Sequence, residues 1–247
     1  MRTFLDHFFH NKTNDRTEGG LVCIPTDRND WPEAWKKIEY KNYNIFDSIG
    51  LPFVEGNLFN QVLSQRRSSG KYVLDNKLTL EAVSYILRCG YGLQSRDANH
   101  DKERGENRTV PSGGKRYPLE VYIFLFKRMD GLKPGIYHYS VKDHALEPVS
   151  LRSFSSEDMT KFSPLGCLKM MNGIVCLSSV FRRMSDKYGS RGYRYVLLEA
   201  GHVAQNMLLA GTERAVNLLP AGGVNESTLE SAIGLNSDEK VVYSLFW

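Results

Sequence analysis

The segment "VLLEAGHVAQNMLLAG", residues 196–211, constrains the fold more than any other part of this chain. It reads as a helix yet is apolar nearly all round, and a helix of that kind must be buried. Ala200, Gly201, Ala204 and Ala210 stand among its larger residues, so another backbone can approach it closely. Two environments meet that demand: the centre of a monomeric core, or the centre of an intertwined dimer. Glu199, His202, Gln205 and Asn206 are its polar exceptions. Once buried, each needs a hydrogen-bond partner, so they read as satisfied structural groups before they read as catalytic ones.

The surrounding pattern supplies strands to cover such a helix. "LEVYIFLF" (119–126) is aromatic and β-branched on both faces, as a central strand requires. "GIYHYSV" and "HALEPV" flank the turn-like "KD" and predict a hairpin, and "GIVCLSSVF" and "KVVYSLFW" predict two further strands. "LTLEAVSYILRCGYG" places Leu80, Val83, Ile86 and Leu87 on one helical face, with Gly90 as a stop. The long helix is expected from about Tyr195 to Arg214, between the last two strands. Helices and strands mix without strict alternation, which predicts an α+β fold. A chain of 247 residues fits one large domain or two small ones. Residues 1 to about 60, rich in aromatics and turn formers, read as an arm laid over a domain spanning 61–247.

Charge and cysteines exclude several classes. The net charge of +4 is mild, with basic residues concentrated locally: 181–194 holds Arg182, Arg183, Lys187, Arg191 and Arg194 against Asp186 alone. That pattern suits a local anionic ligand better than nucleic acid. Cys23, Cys89, Cys167 and Cys176 stand far apart without C-x-x-C, so no metal site and no disulfide framework is expected. No stretch approaches a membrane span and the first residues lack a signal-peptide pattern, so a cytoplasmic location is expected.

Three motifs carry chemistry. "QRRSSGKY" (65–72) combines two arginines with two hydroxyls, a set that can clamp a phosphate. "VPSGGKRYP" (110–118), downstream of the polar stretch "ANHDKERGEN", has two glycines with a Pro-Ser lead-in ahead of a strand. It is no Walker loop, since Lys115 is followed by Arg116. "LLPAGGVNE" (218–226) repeats the proline, small residue and two glycines. Two such loops, distant in sequence, suggest two walls around one planar ligand. "GYGLQS" (90–95) lacks the third glycine of a dinucleotide fingerprint.

Taken in order, "RRS", "PSGGKRYP", "GLKPGIYHYSVKDHALE", "KYGSRGYRYVLLEAGHVAQN" and "PAGG" resemble the SagB-type dehydrogenases. These form a branch of the FMN-dependent nitroreductase-like fold that acts in the biosynthesis of thiazole/oxazole-modified peptides. The resemblance spans roughly residues 60–243. It implies an intertwined homodimer with a central, mostly antiparallel sheet flanked by helices and one FMN at each interface. It assigns Arg66, Arg67 and Ser68 to the FMN phosphate and ribityl chain. Pro111, Ser112, Gly113 and Gly114 would line the isoalloxazine ring, from the partner subunit in the nitroreductase pattern. Pro220, Ala221, Gly222 and Gly223 would offer backbone N–H groups near flavin N5. Arg191 or Arg194 would serve the phosphate where the family more often has a basic residue near the C-terminus.

The implied reaction removes two hydrogens from a peptide thiazoline or oxazoline to give the azole, beside a cyclodehydratase. The resemblance makes Lys187 and Tyr188 the catalytic pair. A base must take a proton from the ring carbon next to the carbonyl while the cofactor accepts a hydride. Clustered cations near Lys187 disfavour its charged form. Two alternatives stand beside this reading: a general NAD(P)H-dependent nitro- or quinone reductase, and a non-catalytic scaffold subunit of the modifying complex.

Overall fold

A computed structural model describes residues 5–14, 27–36, 40–41, 49–68, 78–94 and 107–247. Most of "ANHDKERGEN" and the second half of "QRRSSGKY" therefore lie outside the described residues. In chain order the helices are α1 (Leu5–Asn14), α2 (Glu33–Lys36), α3 (Leu58–Gln65), α4 (Leu80–Tyr91), α5 (Ser156–Phe162), α6 (Arg182–Tyr188), α7 (Gly192–Glu213) and α8 (Glu226–Ile233). The strands are β1 (Leu119–Leu125), β2 (Gly135–Ser140), β3 (Ala145–Leu151), β4 (Gly173–Val180), β5 (Leu219–Pro220) and β6 (Glu239–Phe246). No described helix is long and apolar enough to cross a membrane.

The strands form one sheet in the order β3-β2-β1-β4-β6-β5, with every neighbouring pair antiparallel. The α+β expectation holds, and β1 lies inside the sheet as its two apolar faces require. Alternation splits its side chains between two cores. Val121, Ile123 and Leu125 join Val175, Leu177 and Leu245 under α4 and α7. Tyr122, Phe124 and Phe126 join Ile174, Cys176 and Phe246 under α5 and α8. Phe162, the last residue of α5, packs edge-on against Phe124 at 5.3 Å between ring centroids.

Helix α4 begins at Thr79, whose hydroxyl accepts the N–H of Ala82, and buries Val83, Ile86 and Leu87. Leu80 stays 39% exposed. The helix does not stop at Gly90; it continues to Tyr91, with Gly92 as its cap. Gly90 serves packing instead: a Cβ there would run into the Met207 side chain, so the glycine lets α4 lie close against α7.

Helix α7 starts three residues earlier than the sequence suggests, and one face of it is not covered. Val196, Glu199, Ala200, Val203, Ala204 and Met207 are buried, whereas Leu197, Leu198, Gly201, His202 and Gln205 are exposed. Leu198 is 60% exposed. The all-round burial read from its composition is therefore not supplied by the chain's own core. His202 and Gln205 consequently need no buried partner. Of the two remaining polar residues, Asn206 donates to the carbonyls of Cys89 (3.3 Å) and Thr109 (3.4 Å), and Glu199 accepts from Tyr91 (2.9 Å).

The N-terminal residues behave in two ways. In α1, His10 is buried, with its ring 5.3 Å from that of Phe181 at the start of α6. From Ile49 to Leu63 the chain instead presents Ile49, Leu51, Phe53, Val54, Leu58, Phe59 and Leu63 to solvent.

Candidate active site

Strand β1 and strand β4 deliver the first part of the site. They pair from Leu119↔Ser179 to Leu125↔Gly173, so the loop entering β1 and the helix leaving β4 meet at one end of the sheet. That loop is Pro111–Pro118 and that helix is α6. The Val180 N–H donates to Pro118 O at 2.9 Å and closes the junction. Gly114 has φ +60, in the left-handed region that favours glycine. A Cβ placed on it would lie 2.5 Å from the Tyr188 hydroxyl and 2.6 Å from Lys187 Nζ. The Lys-Tyr pair thus rests directly on the Gly-Gly turn. Lys187 is exposed, its Nζ 5.4 Å from the centroid of the Tyr188 ring. Tyr188 is half-buried and meets Tyr195 edge-on at 5.1 Å.

Half-buried groups hold the loop from beneath. The Ser112 hydroxyl accepts the Tyr117 N–H at 2.9 Å, and Tyr117 in turn accepts the Arg108 N–H on its phenol oxygen at 3.2 Å. The Arg108 guanidinium lies 4.2 Å from the centroid of the Tyr91 ring and 4.9 Å from that of Tyr117. Below them, Glu199 is 2% exposed. Burial pushes its carboxyl above the ordinary range, against hydrogen bonds from Ser112 and Tyr91 and the charge of Arg108. The same burial, with the Glu199 charge, raises the Tyr91 phenol beyond any physiological titration. Ser112 was expected to face a ligand. Its hydroxyl is occupied inward, whereas Pro111, Gly114, Lys115 and Arg116 are the exposed residues of the loop.

Helix α6 is also tied down. Arg183 Nη1 lies 2.6 Å from Glu120 Oε1 and donates to Tyr117 O at 3.3 Å. Arg116 Nε donates to Arg183 O at 2.8 Å. Glu120 Oε2 meets His138 Nε2 at 3.1 Å, and His138 Nδ1 meets Glu147 Oε2 at 2.8 Å. Burial would raise Glu120, but the hydrogen bonds and charges of His138 and Arg183 prevail and hold it below the usual carboxylate range. His138 is raised, chiefly by its bond to Glu120 and then, against burial, by Glu147. Of the four arginines expected to surround Lys187, Arg183 has its charge balanced by Glu120.

The second Gly-Gly loop stands elsewhere. Leu219 and Pro220 pair with Phe246 and Leu245 at the other end of β6, and Ser163 Oγ donates to Gly223 O at 2.6 Å. Ala221 and Val224 belong to the core under α5 and α8, whereas Met184 and Tyr188 belong to the core under α4 and α7. The sheet therefore separates the two loops. Along β4 they are offset from about Cys176 to Val180, roughly 13 Å at strand spacing. Within this chain the two loops therefore do not face each other as walls of one cleft. Within the late loop, Pro220 has no N–H and that of Ala221 donates to Ser244 O at 2.9 Å. Gly222 and Gly223 supply the remaining amides. Gly222 is exposed, and a Cβ placed on it would meet nothing within 4 Å.

Arg66, Arg67 and Ser68 follow α3. Arg66 Nη1 donates to Ser68 Oγ at 3.1 Å, and Arg67 Nη1 to Ser64 O and Arg66 O. Near the C-terminus, Lys240 is paired with Glu230 at 3.1 Å.

Residues 63–246 match the Nitroreductase family, and the chain belongs to that family of oxidoreductases. MJ1384 of Methanocaldococcus jannaschii, which carries a nitroreductase name, is 31% identical over 190 residues, 75% of this chain and 88% of that protein. The microcin B17-processing protein McbC of Escherichia coli is 30% identical over 193 residues, 73% of this chain and 65% of McbC. Among solved structures, a chain of the E. coli microcin synthetase McbBCD complex with truncated pro-MccB17 bound covers 98% of this chain and 90% of its own length, at TM-score 0.73 and 21% identity. A Desulfovibrio desulfuricans nitroreductase-fold protein solved with FMN covers 78% of this chain and 86% of its own, at TM-score 0.52 and 18% identity. These likenesses, with the antiparallel sheet, make the fold the nitroreductase fold that the resemblance implied.

Proposed function

We propose that the chain is an FMN-dependent azoline dehydrogenase, which oxidises thiazoline or oxazoline rings in a ribosomally made precursor peptide to the aromatic azoles. The observation that carries this reading is the contact of Lys187 and Tyr188 with Gly114. A reductase of small acceptors has no use for a protein base beside its flavin wall; removal of a ring proton does. The likeness to a microcin-processing protein supports the same reaction class.

The residues present fit a flavin. Gly113 and Gly114 form a tight turn without side chains of its own, and Gly222 is exposed, with nothing within 4 Å of a Cβ placed on it. Arg66, Arg67 and Ser68 would hold the phosphate with charge-assisted hydrogen bonds. Bound there, the flavin supplies two-electron redox chemistry as hydride acceptor. Lys187, as the free amine, would take the proton from the ring carbon next to the carbonyl. Tyr188 would donate a hydrogen bond to the ring heteroatom or pass the proton on. The substrate thus loses one proton and one hydride, the two hydrogens that separate azoline from azole.

The separation of the two loops supports reading the protein as a homodimer. Gly113–Gly114 with Lys187–Tyr188 would come from one copy and Gly222–Gly223 from the other. The exposed apolar run from Ile49 to Leu63 and the Leu197–Leu198 edge of α7 are surfaces a second copy would cover. In this reading residues 1–60 are an arm, residues 61–247 the flavin domain, and the enzyme works in the cytoplasm beside a cyclodehydratase.

The test is direct. The purified protein is expected to be yellow, and an azoline peptide should bleach its flavin band in a single anaerobic turnover with the azole as product. A flavin-loaded protein that oxidises NADPH with nitroarenes yet never touches the azoline peptide overturns the proposal.

A further inference from the structure

Lys187 is exposed at the end of a helix of only two turns, and neither feature fixes an amine in place. The anchored residue of the helix lies one turn upstream. Residues four apart share a helix face, so Arg183 and Lys187 project on the same side of α6. Arg183 makes three connections there: its guanidinium to Glu120 at 2.6 Å and to Tyr117 O at 3.3 Å, and its carbonyl to Arg116 Nε at 2.8 Å. Two of these bind α6 to the loop that carries Gly113 and Gly114. The third binds it to β1, the inner strand of the sheet.

We propose that Glu120 is a positioning residue for Lys187: through Arg183 it sets where the amine stands over Gly114. The proposal rests on the reading of Lys187 as the base, and adds a residue that touches no ligand. Glu120 is suited to the task because both of its oxygens are engaged. Its side chain is 18% exposed and its second oxygen is held by His138, which Glu147 holds in turn. A planar carboxylate facing a guanidinium fixes direction as well as distance. A lysine in place of Arg183 would keep the charge and lose that direction.

The experiment uses the full-length, flavin-loaded protein and three variants: Glu120→Gln, Arg183→Gln and the double. Two quantities are read in each. One is the rate of acetylation of Lys187 by N-hydroxysuccinimidyl acetate across pH, followed by peptide mass spectrometry and requiring no substrate. The other is single-turnover flavin reduction by an azoline peptide, with peptide affinity measured separately. Each single variant is expected to shift the pH profile of Lys187 acetylation. Each should also slow flavin reduction by up to roughly 10²-fold, the effect of a misplacement of about 1 Å, at unchanged peptide affinity. The double variant should be no worse than either single one, because both remove the same link. Lys187 profiles that coincide with the parent's, or effects that add in the double variant, overturn the proposal. If Glu120→Gln does not fold, Arg183→Gln, at a more exposed position, gives the same two readings. The acetylation profile decides the matter even where Lys187→Ala leaves flavin reduction intact, a result that would sink the proposed function and not this one.

Discussion

Lys187 Nζ stands 2.6 Å from the point where a β-carbon on Gly114 would lie, and Tyr188 Oη stands 2.5 Å from it. Two motifs separated by more than seventy residues of sequence thereby become one surface, and the glycine is what allows it. Its φ of +60 would cost an L side chain about 1–2 kcal/mol, before any overlap with the lysine and tyrosine tips.

Gly114→Ala is therefore expected to lower stability by about that amount and to push both tips away from the loop. Gly113→Ala meets only ordinary contacts with Tyr195 (3.5 Å) and Met184 (3.7 Å), so its melting temperature should fall less. Thermal melts of both variants check this. A Gly113 variant as destabilised as the Gly114 variant would contradict the packing described.

The sheet was legible from sequence because β1, β4 and β6 are rich in aliphatic and aromatic residues, and the hairpin because polar turn residues separate two β-rich runs. The exposed face of α7 was not legible. Composition states that Leu197 and Leu198 want burial, and it does not state which molecule supplies it. The Gly-Gly loops were legible as backbone features, but their separation by the sheet depends on which face each flanking strand residue takes. Glu120 went unnoticed because its partners, Arg183 and His138, come from other elements. Its one local signal is a carboxylate interrupting an apolar strand.

The catalytic pair separates by substitution. Lys187→Ala should retain flavin and lose azole formation by about 10²- to 10⁴-fold, the usual contribution of a general base. Tyr188→Phe keeps the ring that packs on Tyr195 and removes only the hydroxyl. Single-turnover flavin reduction by an azoline peptide measures both. Parent-like rates in the two variants would leave this pair a basic turn over a glycine.

Stability should depend on pH through the Glu120–His138–Glu147 cluster. His138 is raised above its ordinary 6.5, so its contribution is complete below that value and is lost as pH rises through the elevated one. Glu120 is lowered from 4.5, so its contribution is present above that value and is lost as pH falls through the depressed one. Facing His138 are Glu120, Glu147 and the Tyr122 ring, with Arg183 on the far side of Glu120. Thermal melts across pH should show the alkaline decline in the parent and a weaker one in His138→Gln. Identical alkaline limbs would mean the histidine does not titrate between these carboxylates.

The clamp after α3 makes a prediction about the cofactor alone. A charge-assisted hydrogen bond is worth about 1.5–3 kcal/mol, so Arg66→Ala should weaken FMN binding by roughly 10- to 10²-fold. Fluorescence titration of the apoprotein with FMN measures it. Riboflavin, which lacks the phosphate, should bind the parent and the variant alike. If Arg66→Ala weakens riboflavin as much as FMN, the arginine supports the fold and does not hold a phosphate.

A last prediction follows from the sheet that divides the two loops. If each site takes Gly114, Lys187 and Tyr188 from one copy and Gly222 and Gly223 from the other, lesions on the two walls are complementable. Lys187→Ala damages one wall. Gly222→Pro removes an amide from the other, since proline has no N–H to donate. Each variant alone should be nearly inactive. Co-expressed with different tags and purified as the mixed dimer, they form one site carrying both lesions and one carrying neither, and azole formation should return. The result discriminates sharply, because a site built within a single chain would leave every site in the mixed dimer with one lesion and the mixture as inactive as its parents. A mixed dimer that stays inactive while binding FMN would mean that one chain supplies both Gly-Gly loops to its own site, and would overturn the shared-site reading.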